Sequence, residues 1–254
     1  MSDEVLVDVD GGVAVITINR PQARNAVNGA VARGVAAVLD EMEGRRDVSA
    51  YVLTGAGGTF CAGMDLKGFL SGDLPYIEGR GFAGLVEAPP KRPIVAAVEG
   101  YALAGGFELA LACDLVVASE QAVFGLPEPR RGLVAAAGGA ARLPRRIPYH
   151  IAMEIALTGD HFPAVRLYEV GLVNHVTPPG EALPRALELA KRIAANAPLA
   201  VAATKRVIVE SADWSREEMF ARQQEIITPV FGSQDAMEGA AAFAEKRAPR
   251  WKGE

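Results

Sequence analysis

Hydrophobic and polar positions alternate with period two at the start of the chain. Val5–Val9 and Val13–Asn19 read as two strands flanking Asp10-Gly11-Gly12, a strong hairpin signal. Arg20-Pro21 ends the second strand. The period then changes. Val31, Val35, Val38, Leu39 and Met42 recur at helical spacing, and Asn28 is placed to cap a helix running through Glu43. Tyr51–Thr54 is the next strand, Gly55–Thr59 a glycine-rich loop, and the segment from Phe60 to Leu66 leaves that loop for a short helix. Residues 71–92 are punctuated by Gly and Pro, with a helix expected between Tyr76 and Glu87. Ile94–Val98 is an unbroken apolar run, as a buried strand requires. A glycine-rich turn from Gly100 to Gly106 follows, and Phe107–Cys113 reads as a buried helix.

Beyond it, Leu115–Ala118 and Ala122–Phe124 read as strands, and residues 125–129 as a turn stiffened by two prolines. Ala135–Arg142 is expected to form a helix of small residues. From Tyr149 onward helical patterns dominate, with a strand-like interruption at Leu172–Val176. The last third holds three helical patterns, at 181–196, 198–211 and 215–247, the last broken near Gly232. Strand–turn–helix units thus give way to helices alone. This predicts an α/β core over residues 1–195 and a helical region over 196–254, the latter a candidate subunit interface. Neither an internal repeat nor a low-complexity linker separates them.

Composition narrows the function classes. The 254 residues are 50% hydrophobic and 22% charged, the ordinary make-up of a globular protein. A net charge of −5 and a pI near 5.4 argue against a nucleic-acid partner. The apolar runs are interrupted before reaching membrane-spanning length, and the acidic start MSDEVLV has no signal-peptide pattern. Cys61 and Cys113 lack metal-ligand spacing and read as free thiols in a reducing compartment. A cytoplasmic protein with no membrane partner is therefore expected. His150, His161 and His175 also lack metal spacing, so no metal site is expected. The turn at 100–106 does not have the spacing of a dinucleotide fingerprint.

The chemistry concentrates between Pro93 and Ser119. Gly105 and Gly106 stand where a helix begins, so backbone N–H groups there are free and favour an oxygen that is gaining negative charge. Glu108 sits one turn on, among Phe107, Leu109, Ala110 and Leu111. An unpaired carboxylate in a core helix costs several kcal/mol, on the order of a domain's whole stability. The plainer reading is a half-exposed Glu that suits the helix dipole, but its coincidence with the glycines favours a functional one. Glu128, held between two prolines, is either a solvated turn carboxylate or the second member of an acid–base pair around one water. The Ala62-Gly63-Met64-Asp65 turn leads into a helix. The Met64 N–H can join that of Gly105 in an oxyanion hole, whose donors are worth about 2.7–4 kcal/mol each. On its own, that stretch reads as an ordinary helix cap by Asp65 or Thr59.

Taken in order, several motifs make the chain resemble the crotonase (enoyl-CoA hydratase/isomerase) superfamily from end to end. They are NRPQARNAV, VLTGAGGTFCAGMDL, RPIVAAVEGYALAGGFELALACDLVVAS, VFGLPEPRRGL, AGGAARL, ALTGD, GLVNHV, NAPLAVAATK and DAMEGAAAFAEKRAPRWKG. The resemblance implies a crotonase-like spiral of ββα units with a C-terminal helical trimerisation region, as a homotrimer or a dimer of trimers. It places the oxyanion hole on the Met64 and Gly105 N–H groups and the two hydratase glutamates on Glu108 and Glu128. The path of coenzyme A would run past Arg24, Ala26, Ala62, Asp65 and Leu66, with Lys246 near its phosphates. GFAGL (81–85), GGFELALA and the tail look most like the carnitinyl-CoA dehydratase branch.

Two departures stand out. Ala135-Ala136 replaces a Pro-Gly common among hydratases, and Arg130-Arg131 follows the turn where apolar residues are usual. The arginines read as surface or interface groups, or as partners of an acidic acyl chain. The expected activity is hydration of a 2-enoyl-CoA, with an acyl-CoA substrate and no cofactor beyond the coenzyme A that is part of it. A Δ3,Δ2-enoyl-CoA isomerase needs only one carboxylate, and a non-catalytic acyl-CoA binder needs neither. A peptidase of related architecture lacks its Ser–His–Asp set here.

Overall fold

A computed structural model describes residues 3–254; Met1 and Ser2 of the acidic N-terminus lie outside the described residues. Strands β1 (Val5–Asp10) and β2 (Val13–Ile18) form the expected antiparallel hairpin, with Val5 opposite Ile18 and Asp10 opposite Val13. Gly11 and Gly12 at its tip take φ of 57° and 80°, the left-handed values a two-residue turn of this kind needs. Helix α1 (Gly29–Glu43) begins where the Asn28 side chain accepts the Val31 N–H at 2.9 Å. Strand β3 (Ala50–Gly55), helix α2 (Leu66–Leu70) and the short strands β4 (Tyr76–Ile77) and β5 (Gly81–Phe82) follow. Then come β6 (Ile94–Val98), β7 (Tyr101–Leu103), α3 (Gly105–Ala112), β8 (Leu115–Ser119) and β9 (Val123–Gly125). The rest is α4 (Gly139–Arg142), α5 (Tyr149–Thr158), β10 (Phe162–Pro163), α6 (Ala164–Glu169), β11 (His175–Thr177), α7 (Ala182–Ala194), α8 (Pro198–Glu210), α9 (Met219–Phe231) and α10 (Gln234–Glu245).

The main sheet has the order β1-β2-β3-β6-β8-β11, parallel throughout except for the first hairpin. Both faces are covered, which is why its central strands read as continuous apolar runs. Tyr51, Leu53, Ile94, Ala96 and Val98 join the core shared with α1 and α3. Their neighbours Ala50, Val52, Val95 and Ala97 turn to the opposite face, where Ala182, Ala186 and Ala190 of α7 pack. Alanine at every fourth position brings that helix close to the sheet. A smaller sheet, β10-β9-β7, lies beside α3, and Phe124 of β9 meets Phe107 of α3 edge to face at 5.3 Å.

Three expectations are corrected. The segment between Tyr76 and Glu87 is not a helix but the β4–β5 hairpin, because Gly79, Gly81, Ala83 and Gly84 all take positive φ. The glycine turn at 100–106 contains strand β7, which pairs in parallel with β9. The helix expected over Ala135–Arg142 shortens to α4, since Gly138 takes φ of 99° immediately before it. The C-terminal helices lie where their periodicity puts them, and Ser233 restarts the chain after Gly232 by accepting the Ala236 N–H at 3.0 Å. Among the described residues, no helix is long and apolar enough to cross a membrane.

Candidate active site

The strand–turn–helix at the centre of the chain builds one wall of a cavity of about 280 Å³. β7 delivers the chain to Ala104, which takes φ of 51° and reverses it directly into α3. The helix can start there only because its first two residues lack side chains. A Cβ on Gly105 would meet the Phe82 ring, and one on Gly106 would run into the Cys61 carbonyl. The loop from Cys61 to Asp65 is thereby pressed against the helix start. The bridge between Val27 and Met64 and the one between Cys61 and Ala102 hold it in place. Among the described residues, neither the Met64 nor the Gly105 N–H donates to another backbone group. Gly63, which precedes Met64, has φ of 104° and lies against Ala104 and the Gly105 nitrogen.

Glu108 and Glu128 line this same cavity. Glu108 is 3% exposed and Glu128 8%, so the solvated alternatives for both are ruled out. Glu108 Oε1 accepts the Gly139 N–H at 2.8 Å. Gly139 is glycine for a local reason: a Cβ there would sit 3.0 Å from the Glu108 carboxylate oxygen. Glu128 opens a 3-10 turn (Glu128–Arg131), and among the described residues its buried Oε2 has no hydrogen-bond partner. Burial pushes the Glu108 carboxyl up to about 7; the Gly139 N–H opposes that rise and the neighbouring Glu128 adds to it. Burial also raises Glu128, against which its own backbone N–H and the Arg131 guanidinium work. Two carboxyl groups that both resist ionisation in one pocket can share a single proton. Such a pair can hold a water and pass protons in either direction, beside two N–H groups able to receive a developing oxyanion.

The other singled-out residues fall in two groups. Ala62 and Leu66 line the cavity with Met64. Arg24, Ala26 and Asp65 are not in the lining; the Ala62 N–H donates to the Arg24 carbonyl at 3.0 Å, and the Asp65 N–H to the Val27 carbonyl at 2.8 Å. The Arg24 guanidinium lies over the Tyr101 ring at 5.7 Å. Asp65 does cap α2, accepting from Lys67 and Gly68, and pairs with Arg20 at 3.0 Å. Although burial works against it, Arg20 and those N–H groups hold its carboxyl below the ordinary carboxylate range. Lys246 is not in the lining; it ends α10 with φ of 54°.

Tyr76, Phe82, Leu133 and Val134 also line the cavity without having stood out in the sequence, and Arg131 and Ala136, from the two departures noted there, stand among them. Tyr76 and Phe82 belong to the hairpin mistaken for a helix, so their signal lay in the Gly79–Gly84 punctuation. A larger, more open groove of about 750 Å³ lies along α10 and the C-terminal tail. Both of its carboxylates are already engaged, Glu238 by Arg247 at 2.5 Å and Asp235 by the backbone N–H groups of Lys252 and Gly253. Among the described residues there is no cluster of side chains able to hold a metal ion, and both cysteines are free and buried.

Comparison with known proteins agrees with this architecture. The family model described as enoyl-CoA hydratase/isomerase matches residues 8–254. An enoyl-CoA hydratase of Mycobacterium tuberculosis is 43% identical over 98% of this chain and 96% of its own length. A carnitinyl-CoA dehydratase of Proteus mirabilis is 39% identical over the full length of both chains. Among solved structures, an enoyl-CoA hydratase from Mycobacterium tuberculosis superposes with a TM-score of 0.98 at 58% identity, covering both chains completely.

Proposed function

The chain belongs to the enoyl-CoA hydratase/isomerase family, and we propose that it is an enoyl-CoA hydratase that reversibly adds water across the 2,3 double bond of a 2-enoyl-CoA thioester. The observation that carries this reading is the pair of buried carboxyl groups, Glu108 and Glu128, in one cavity with the unengaged N–H groups of Met64 and Gly105. The thioester oxygen accepts from those two N–H groups. Charge withdrawn onto it makes the β-carbon electrophilic and stabilises the enolate that forms when water attacks. Glu108, oriented by the Gly139 N–H, takes a proton from the water as its oxygen bonds to the β-carbon. Glu128 gives its proton to the α-carbon. Dehydration runs the same steps backwards, so both directions start from a pair that holds one proton.

The coenzyme would lie along Arg24, Ala26, Ala62, Asp65 and Leu66, with Lys246 approaching its phosphates. The hole supplies the charge stabilisation, so the proposed chemistry uses no cofactor beyond the coenzyme A of the substrate. Assembly into a trimer or a dimer of trimers through the C-terminal helices is part of the proposal. The exposed Phe220, Phe231, Met237 and Phe243 on α9 and α10 support it.

The test is turnover of crotonyl-CoA and longer 2-enoyl-CoAs, followed by loss of the conjugated thioester's absorbance. Hydration of at least one of them is expected. Turnover of 3-enoyl-CoA to 2-enoyl-CoA with no hydration would overturn the reading in favour of the isomerase.

A further inference from the structure

The cavity lining contains one guanidinium, that of Arg131, which the proposed hydration steps leave unused. It lies three residues beyond Glu128 in the same 3-10 turn. Side chains at that separation in a 3-10 helix lie over one another, so Arg131 projects on the side of the catalytic carboxylate. Its Nη1 makes only a long contact, 3.5 Å, with the carbonyl of Pro127, which also lines the cavity. The neighbouring arginines are engaged elsewhere. Arg130 turns away to pair with Asp160, and Arg142 is held by the carbonyls of Val86 and Ala137. Among the described residues, Arg131 forms no ion pair with any carboxylate.

Its position is also suited to a ligand. Arg131 is exposed, as are Leu133 and Val134, which follow it in the lining. These residues form a rim of apolar side chains carrying one guanidinium fork that, among the described residues, no carboxylate engages. An acyl chain placed with its thioester on Met64 and Gly105 and its double bond between the glutamates must continue past this rim. Apolar carbons can rest on Leu133 and Val134, but a charged end needs water or a counter-charge. Arg131 offers that counter-charge to an anion, and a guanidinium matches a carboxylate with two parallel hydrogen bonds. It repels a cation.

We infer that Arg131 sets the acyl specificity of this site, favouring a 2-enoyl-CoA whose chain ends in a carboxylate over a neutral one and disfavouring one that ends in a trimethylammonium group. The inference rests on the hydratase reading. It separates this chain from relatives named for the carnitinyl group, whose acyl end is a trimethylammonium.

The experiment compares kcat/KM for short 2-enoyl-CoAs of matched length that end in a carboxylate, a carboxamide or a trimethylammonium. They are assayed with the natural protein and with Arg131→Gln, Arg131→Lys and Arg131→Glu. The natural protein is expected to prefer carboxylate over carboxamide by about tenfold or more, the low end for a hydrogen bond to a charged group. The trimethylammonium substrate is expected to rank last. Arg131→Gln should collapse the ratios, Arg131→Lys should retain part of them, and Arg131→Glu should reverse the order of the charged substrates. A loss equal for all three substrates would mean that Arg131 acts through Glu128 or the fold, and would overturn the inference while leaving the hydratase reading in place. Equal ratios in the natural protein would do the same. Failure to hydrate any enoyl-CoA would overturn the hydratase reading itself.

Discussion

At the scale of single residues, the proposed chemistry rests on one proton shared by two carboxyl groups. Glu108→Gln and Glu128→Gln are nearly isosteric and should keep the fold and acyl-CoA binding. Each is expected to lower kcat for hydration by at least ~100-fold, the low end for a positioned acid or base. The double variant should be little worse than either single one, because groups that act as a unit are not additive. Intact hydration in Glu108→Gln, with 3-enoyl to 2-enoyl conversion lost in Glu128→Gln, would replace the two-carboxylate mechanism with a one-carboxylate isomerase.

The pH dependence follows from the same pair. The pair keeps its one shared proton up to about 7, the value to which burial raises the Glu108 carboxyl, and losing that proton leaves both groups ionised. The active form is thus depleted as pH rises through that value. kcat/KM should fall above about pH 7, by about tenfold per unit in the limit. Rates measured from about pH 6 to 9 that climb instead would contradict the shared proton.

At the scale of elements, the site depends on how closely two loops approach the start of α3. Gly106 faces the backbone of the Cys61 loop with no room for a methyl group, and a carbonyl cannot rotate away as a side chain does. Gly106→Ala should therefore push α3 away from the Cys61–Asp65 loop. The expected cost is about 1–3 kcal/mol, as for overpacking a filled core, read from urea denaturation midpoints. Separating the Met64 and Gly105 N–H groups should also weaken acyl-CoA binding. Unchanged stability in this variant would show that the loop gives way, and the rigid-hole argument would then fail.

At the scale of the whole molecule, α8 to α10 leave more apolar surface uncovered than a lone appendage carries. Phe220 and Phe231 are each 75% exposed and Phe243 is 88% exposed, whereas Ile226 is buried against the protein's own chain. Patches of this kind mark an interaction surface. Trimers or hexamers are expected by light scattering at micromolar concentration, and Phe231→Glu is expected to shift the population toward smaller species. A monomeric natural protein would refute assembly through this face.

Local pattern alone determined a large part of this protein. The period-two run before Gly11-Gly12 specifies the β1–β2 hairpin. Asn28 marks where α1 starts, and the unbroken apolar runs mark strands buried on both sides. Glu108 was legible as a carboxylate out of place in a core helix, because its neighbours in sequence are its neighbours in the helix. Tertiary structure decided what depends on distant approach. Glu128 on its turn was equally compatible with solvent until the fold buried it in the cavity of Glu108. The Gly139 N–H reaches Glu108 across a long stretch of sequence, and the Cys61–Asp65 loop meets the start of α3 only because side-chain-free glycines let two backbones touch. The β4–β5 hairpin was missed for the same reason in reverse. A helix and a hairpin can share an apolar pattern, and the left-handed φ values that choose between them emerge only when Gly79 to Gly84 are folded against the rest of the chain.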